Sequence, residues 1–252
     1  MEPKRIIWNW LQKQADRNEA GSRDVLLSLC KQISPVEVML DCGCGDGEFT
    51  ARIARTVKAK RVIGIDVVPE QIEKAKTKGI EGIICNLDKG LNVPDASVDM
   101  LVANQVIEHV ADTDGLIKEF HRVLKPGGYL ILGTPNLSAF TNILFLIVGK
   151  QPTIVEVSDV VLVGTWSPRK EDVGRVGPAH RRVFTRGALK GFIQYYGFES
   201  EKLAGFGFLP LPPILGRIAA GIMPVYSWNT IIRARKAKRI NDEAVGGDSS
   251  LL

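Results

Sequence analysis

The sequence predicts an α/β fold, a doubly wound parallel sheet with helices on both faces. Three observations carry that expectation. Short apolar runs rich in β-branched residues alternate with helical patterns between residues 36 and 133. The first run, Val38-Met39-Leu40, ends in Asp41 and is followed by Gly43, Gly45 and Gly47 before a helical pattern begins. A second acid, Asp66, closes the next apolar run 19 residues after Gly47. A strand that feeds a glycine turn and a helix N-terminus is a ligand-binding edge. Glycine lets the backbone turn sharply and lets a ligand come close to it.

Taken in order, residues 1–34 read as two helical stripes that cover the main fold. Ile6, Ile7, Trp10 and Leu11 share one face, Val25, Leu26, Leu29 and Cys30 a second, and Gly21-Ser22 separates them. Trp8 and Trp10 read as core packing. Strands are expected at 36–41, 61–66, 82–85 and 98–103, and helices at 48–57, 69–78 and 114–124. Pro69 suits the first turn of its helix. Lys125-Pro126-Gly127-Gly128 is read as a turn into a fifth strand at 129–133. Apolar stretches at 140–148 and 155–164 lie in an insertion of about residues 137–180, read by fold analogy as a lid. Its apolar character suits a hydrophobic acceptor or contact with another surface. A helix is expected at 186–196, a sixth strand after Gly197-Phe198 and a seventh at 228–234. The main domain is thus 35–240, and 241–252 reads as a flexible polar tail.

The bulk composition narrows the function. Across 252 residues, 45% apolar and 24% charged content are those of an ordinary globular chain. The formal charge of +5 is concentrated in Arg233, Arg235, Lys236, Lys238 and Arg239, so no nucleic-acid face is expected. Cys30, Cys42, Cys44 and Cys85 follow no secretory signal, and a reduced cytoplasmic setting is expected. Cys42 and Cys44 read as small apolar fillers of the glycine turn. Residues 203–228 are apolar but hold four prolines and Arg217. They read as core packing, a homodimer face, or a peripheral bilayer contact aided by the basic C-terminal region.

In such a sheet, ligands bind beyond the carboxyl ends of the strands. Asp66 is placed to accept both hydroxyls of a ribose, with a helix N-terminal acid as the plainer alternative. In Asn86-Leu87-Asp88 a polar side chain precedes an apolar one, which suits an adenine; Asp88 reads equally well as a turn residue. His109, after the fourth strand, and His180, in the loop after the insertion, are the candidate catalytic bases. For His109 the alternative is a structural strand end. Arg181 could receive an anionic group or be a solvated loop residue. His121 reads as structural.

Residues 38–136 resemble the class I S-adenosylmethionine-dependent methyltransferases. The resemblance rests on Asp41-x-Gly43-x-Gly45-x-Gly47, Asp66, Cys85-Asn86-Leu87-Asp88, Asp95-Ala96-Ser97-Val98-Asp99, Val106-Ile107-Glu108-His109-Val110 and Arg122-Val123-Leu124-Lys125-Pro126-Gly127-Gly128, in that order. It implies a Rossmann-like sheet of seven strands, the last antiparallel. It implies S-adenosylmethionine as cofactor, lined by Asp41, Gly43, Gly45, Gly47, Asp66, Val67, Asn86, Leu87 and Asn104. The acceptor would be a small molecule, methylated at oxygen, and an apolar or lipid-linked one fits the insertion. The family commonly has Asp where Asn86 stands, and Asn keeps the acceptor oxygen. Gly177-Pro178-Ala179-His180-Arg181-Arg182-Val183-Phe184-Thr185 is similar to the acceptor-side segment of small-molecule methyltransferases. Ubiquinone-type O-methyltransferases carry a Glu-x-x-Glu-His set proposed to hold a metal. Here Gln105 replaces the first Glu, and no metal is expected. A non-catalytic S-adenosylmethionine-binding protein is the rival reading. A nicotinamide oxidoreductase is disfavoured, because its third glycine would fall at Glu48.

Overall fold

The computed structural model describes residues 3–33, 35–158, 163–165 and 180–237, with the side chains of 3–12, 15, 16 and 213 excepted. The expectations for Trp8, Trp10, the 241–252 tail and most of 159–179 therefore lie outside the described residues. Seven strands form one sheet: β1 (Val38–Cys42), β2 (Arg61–Asp66), β3 (Glu81–Ile84), β4 (Val98–Asn104), β5 (Leu124–Pro135), β6 (Phe198–Phe206) and β7 (Asn229–Lys236). Their order is β3-β2-β1-β4-β5-β7-β6. β7 runs antiparallel to β5 and β6, and the other pairings are parallel. The order reverses between β1 and β4, which is where such sheets bind ligands.

Among the described residues, seven helices flank the sheet: α1 (Pro3–Cys30), α2 (Glu48–Val57), α3 (Pro69–Lys76), α4 (Thr113–Val123), α5 (Phe140–Ile147), α6 (Arg186–Tyr195) and α7 (Pro213–Ile222). α1, α2, α4 and α6 each bury an apolar stripe on one sheet face. Leu26 and Leu29 of α1 and Ile53 and Val57 of α2 pack against Met39, Met100, Val102 and Ile131. Leu116, Ile117 and Phe120 of α4 and Leu189 and Ile193 of α6 pack against Leu40, Leu101, Ala103 and Leu132 on the other face. The alternate residues of β1, β4 and β5 thus feed two cores, as a sheet buried on both faces requires.

Two local expectations are corrected. Gly21-Ser22 does not split the N-terminal segment, which is one helix through Cys30. A Cβ on Gly21 would lie 2.2 Å from the Phe206 ring, so the glycine lets α1 press onto the end of β6. Lys125-Pro126-Gly127-Gly128 does not precede β5 but bulges within it. Pairing passes from Val98↔Leu124 to Met100↔Tyr129. The residues between the two pairs are taken up with Gly127 at φ +75, its carbonyl accepting the Arg235 Nε–H at 2.8 Å.

The C-terminal cations are also differently employed than the sequence suggests. Arg233 pairs with Glu201 at 3.0 Å. Lys236 Nζ donates to the carbonyls of His121 (2.6 Å) and Leu124 (2.8 Å), where α4 ends and its last carbonyls lack helical partners. These groups hold the far end of the sheet together.

Candidate active site

The carboxyl ends of β1, β2, β4 and β5 gather the predicted site residues along one edge. After β1 the chain turns through Gly43, Gly45 and Gly47, at φ +77, +53 and +79. The turn is stitched to β2, because the N–H groups of Gly43 and Cys44 both donate to the Ile65 carbonyl, at 2.7 and 3.0 Å. The three glycines are not equivalent. A Cβ on Gly43 would meet Val106 Cγ2 at 2.5 Å, and one on Gly47 would meet Ile80 Cδ1 at 2.6 Å and the Ala75 Cα at 3.0 Å. A Cβ on Gly45 would meet nothing within 4 Å. Two glycines therefore serve close packing, and Gly45 faces the open space that a ligand would occupy. Cys42 and Cys44 are buried, and Cys44 packs with Ile72, Ala75 and Ile80.

Asp66 holds this turn to the next one. Its Oδ2 accepts the Gly45 N–H at 2.9 Å and its Oδ1 the Val68 N–H at 2.9 Å, at the N-cap of α3. The helix-terminal role is thus real, and each carboxylate oxygen retains a lone pair for a ligand. Val67 beside it is 62% exposed. Asn86 Oδ1 accepts the Asp88 N–H at 3.0 Å and caps the turn that carries half-buried Leu87. Asp88 Oδ1 accepts the N–H groups of Ala111 and Asp112, at 2.8 and 3.2 Å, and so ties this turn to the loop before α4. Asn104 lies against β5, close enough that a Cβ on Gly133 would meet its Oδ1 at 2.3 Å. Asp41 is buried beneath the turn and accepts the Thr50 hydroxyl at 2.5 Å.

On the acceptor side, β4 is followed by Gln105, a non-glycine residue at φ +59 whose buried Nε2 has no partner among the described residues. Such backbone strain concentrates at functional sites. Glu108 is 1% exposed; its Oε2 accepts the Thr134 hydroxyl at 2.9 Å, and its Oε1 has no partner among the described residues. The Glu108 carbonyl accepts the N–H groups of Arg181 (2.6 Å) and Arg182 (3.2 Å). That clamp brings His180 over His109, with ring centroids 4.9 Å apart and planes 32° from parallel. Ligand atoms of Glu108, His109 and His180 all lie within 4.8 Å of one another. Two imidazoles and a carboxyl are a donor set that could hold a borderline cation such as zinc better than magnesium. His121 stands apart, its ring edge-on to Phe198.

Thr134, at the carboxyl end of β5, stands among the strand-end residues the sequence points to. Two contributors escaped the sequence reading. Glu156 Oε2 accepts the His180 N–H at 3.0 Å. It is the only acid between residues 137 and 157, a signal that was there to be used. Glu19, from α1, whose charge raises the Glu108 pKa, had no local signal.

Burial pushes the carboxyls of Asp41 and Glu108 up to about 7. For Asp41 the Thr50 hydrogen bond opposes the shift and the Asp66 charge adds to it. For Glu108 its own backbone and Thr134 oppose it, and Glu19 adds to it. The folded state therefore keeps two protons that the unfolded chain releases near pH 4 to 4.5. Stability is full below that range and falls as pH rises toward about 7, by on the order of several kcal/mol for the pair. Urea unfolding should give a larger unfolding free energy at pH 5 than at pH 8 for these groups. Asp41→Asn should reduce that difference, and an unchanged difference would count against it.

Residues 40–132 match the family described as "Methyltransferase domain". Ubiquinone biosynthesis O-methyltransferase of Rattus norvegicus mitochondria is 33% identical over 189 residues, covering 71% of this chain and 49% of that protein. A Mycolicibacterium smegmatis protein named "Probable S-adenosylmethionine-dependent methyltransferase" is 39% identical over 169 residues, 66% of this chain and 54% of that protein. The chain thus spans about half the length of these curated relatives. An S-adenosylmethionine-dependent methyltransferase structure from Mesorhizobium loti superposes with a TM-score of 0.57 at 20% identity, over 84% of this chain and 96% of that one. Geranyl diphosphate C-methyltransferase from Streptomyces coelicolor gives 0.56 at 13% identity, over 88% and 82%. At those identities the likeness is one of fold.

Proposed function

This chain carries a class I S-adenosylmethionine-dependent methyltransferase domain, and from that premise we propose that it transfers a methyl group to an oxygen of a small-molecule acceptor. The observation that carries the reading is the His109–His180 pair, 4.9 Å apart, on the sheet edge that also bears the glycine turn. Bound S-adenosylmethionine supplies a methyl group on a positively charged sulfur. The residues that fit it are the Gly43–Gly45–Gly47 turn, open at Gly45, and Asp66 for the ribose. Asn86 and Leu87 suit the base, Val67 flanks it, and Asp41 and Asn104 support the edge.

The leaving sulfur becomes neutral, so the protein has no anion to stabilise there, and alignment supplies much of the rate. An oxygen acceptor loses a proton as it attacks, and His109 and His180 are the groups in position to take it. Glu108 holds the segment that carries His180 beside His109, because its carbonyl accepts the Arg181 and Arg182 N–H groups. The apolar residues of α5, next to this edge, favour an apolar or lipid-linked acceptor.

The test has two readouts. Calorimetry with S-adenosylhomocysteine should show binding by the wild type and, unchanged, by His109→Ala and His180→Ala. Turnover against phenolic, catecholic and aliphatic hydroxyl acceptors should fall about 10²- to 10⁴-fold in those variants, the range for a positioned base. Binding without turnover of any acceptor would favour the non-catalytic role. Full turnover in both variants would remove the two histidines from the chemistry.

A further inference from the structure

Helix α7 is amphipathic in the reverse sense. Its inner side is small: Gly216 and Ala220 are buried, and a Cβ on Gly216 would lie 3.1 Å from the Phe208 backbone N. Its outer side is large and aliphatic, with Ile214 79%, Ile218 57% and Ile222 75% exposed. Positions i, i+4 and i+8 lie on one helix face. Helix α5 repeats the inversion: Asn142 is buried, while Leu146 and Ile147 are exposed, Ile147 by 73%. Phe140 of α5 stacks on Phe208, in the loop that leads into α7, with ring centroids 5.1 Å apart, so the start of α5 lies against that loop.

Large side chains outside and small or polar ones inside invert what water selects. The charge pattern indicates what covers them. Residues 137–155 and 202–240 contain no Asp or Glu. The cations beside the two faces, Lys150 and Arg217, are both exposed. Tyr226, also exposed, follows α7 and has the apolar body and polar tip of an interfacial residue. Among the described residues, no helix is long and apolar enough to cross a membrane. We propose that the α5–α7 face docks onto a lipid bilayer carrying anionic headgroups, lying in the interface without crossing it. The face and the candidate active site share one edge of the sheet, because α5 follows β5 and α7 joins the end of β6 to the start of β7. Docking therefore turns the site toward the lipid. The inference stands apart from the methyltransferase reading and does not need the acceptor to be known.

With Arg233 and Lys236 engaged at the other end of the sheet, apolar insertion carries most of the binding and charge a smaller part. The full-length protein is floated with phosphatidylcholine vesicles and with vesicles containing about a third phosphatidylglycerol. The wild type should float with both, more with the second. Ile218→Glu/Ile222→Glu should lower the recovered fraction at least about tenfold while leaving thermal unfolding unchanged, since both side chains face solvent. Should that variant fold poorly, Ile147→Glu tests the α5 side in the same way. Wild-type protein that does not float, or variants that float equally, overturns the proposal. A dimer in size-exclusion chromatography that Ile218→Glu dissociates, with no flotation of the wild type, does so too and assigns the face to a second copy of this chain.

Discussion

Asp66→Ala is expected to weaken S-adenosylmethionine binding by roughly 1–3 kcal/mol, about 5- to 150-fold, as for loss of a charged hydrogen-bond partner. The side chain has two duties that the variant removes together. It anchors the Gly45 and Val68 amides, each at 2.9 Å, and it keeps two lone pairs toward the ribose position. Asp66→Asn separates the duties. One oxygen survives to hold one amide, while the pair of acceptors for two hydroxyls is lost. Calorimetry should therefore rank wild type above Asn and Asn above Ala. Equal affinities for wild type and Asn would leave Asp66 only its loop-holding role.

Gly47→Ala and Gly45→Ala should have opposite consequences although they lie two residues apart in one turn. At Gly47 a methyl group meets Ile80 and the Ala75 Cα, and the latter is backbone of α3. Relief requires a helix to shift. Together with the left-handed φ of +79 this should cost about 2–4 kcal/mol of stability. For a chain of this size that lowers the melting temperature by roughly 5–15 °C without any ligand present. At Gly45 the methyl group meets nothing. The strain of φ +53 should cost only about 1 kcal/mol, while cofactor affinity falls at least about tenfold, because the methyl group fills the open face. Thermal melts of the two ligand-free variants, followed by titration, check both halves. A Gly45→Ala protein that binds normally would place the cofactor elsewhere along the turn.

Much of this architecture was legible in the chain. The bounds of α2 and β2 agree with the sequence pattern, because amphipathic spacing and β-branched runs act locally. The antiparallel β7 followed from family resemblance alone. The misread features depend on distant partners. Gly21 looks like a helix break until Phe206 is seen against it. Lys125-Pro126-Gly127-Gly128 looks like a turn until Arg235 bonds the bulge from β7. Lys236 looks like a free cation until the end of α4 is seen to need donors. In the site, the sequence named His109 and His180 but not their distance, and it missed Glu156 because an apolar stretch drew attention away from its lone acid.

The single carbonyl of Glu108, which takes the amides of both Arg181 and Arg182, has an evolutionary meaning. It rivets the start of the post-insertion segment to the end of β4, and the bond is made by main chain alone. Any sequence there can make it, proline excepted at 181 and 182. The register of His180 against His109 is thereby set by backbone rather than by residue type at 181 and 182, so side chains there can vary toward an acceptor while the two imidazoles keep their spacing.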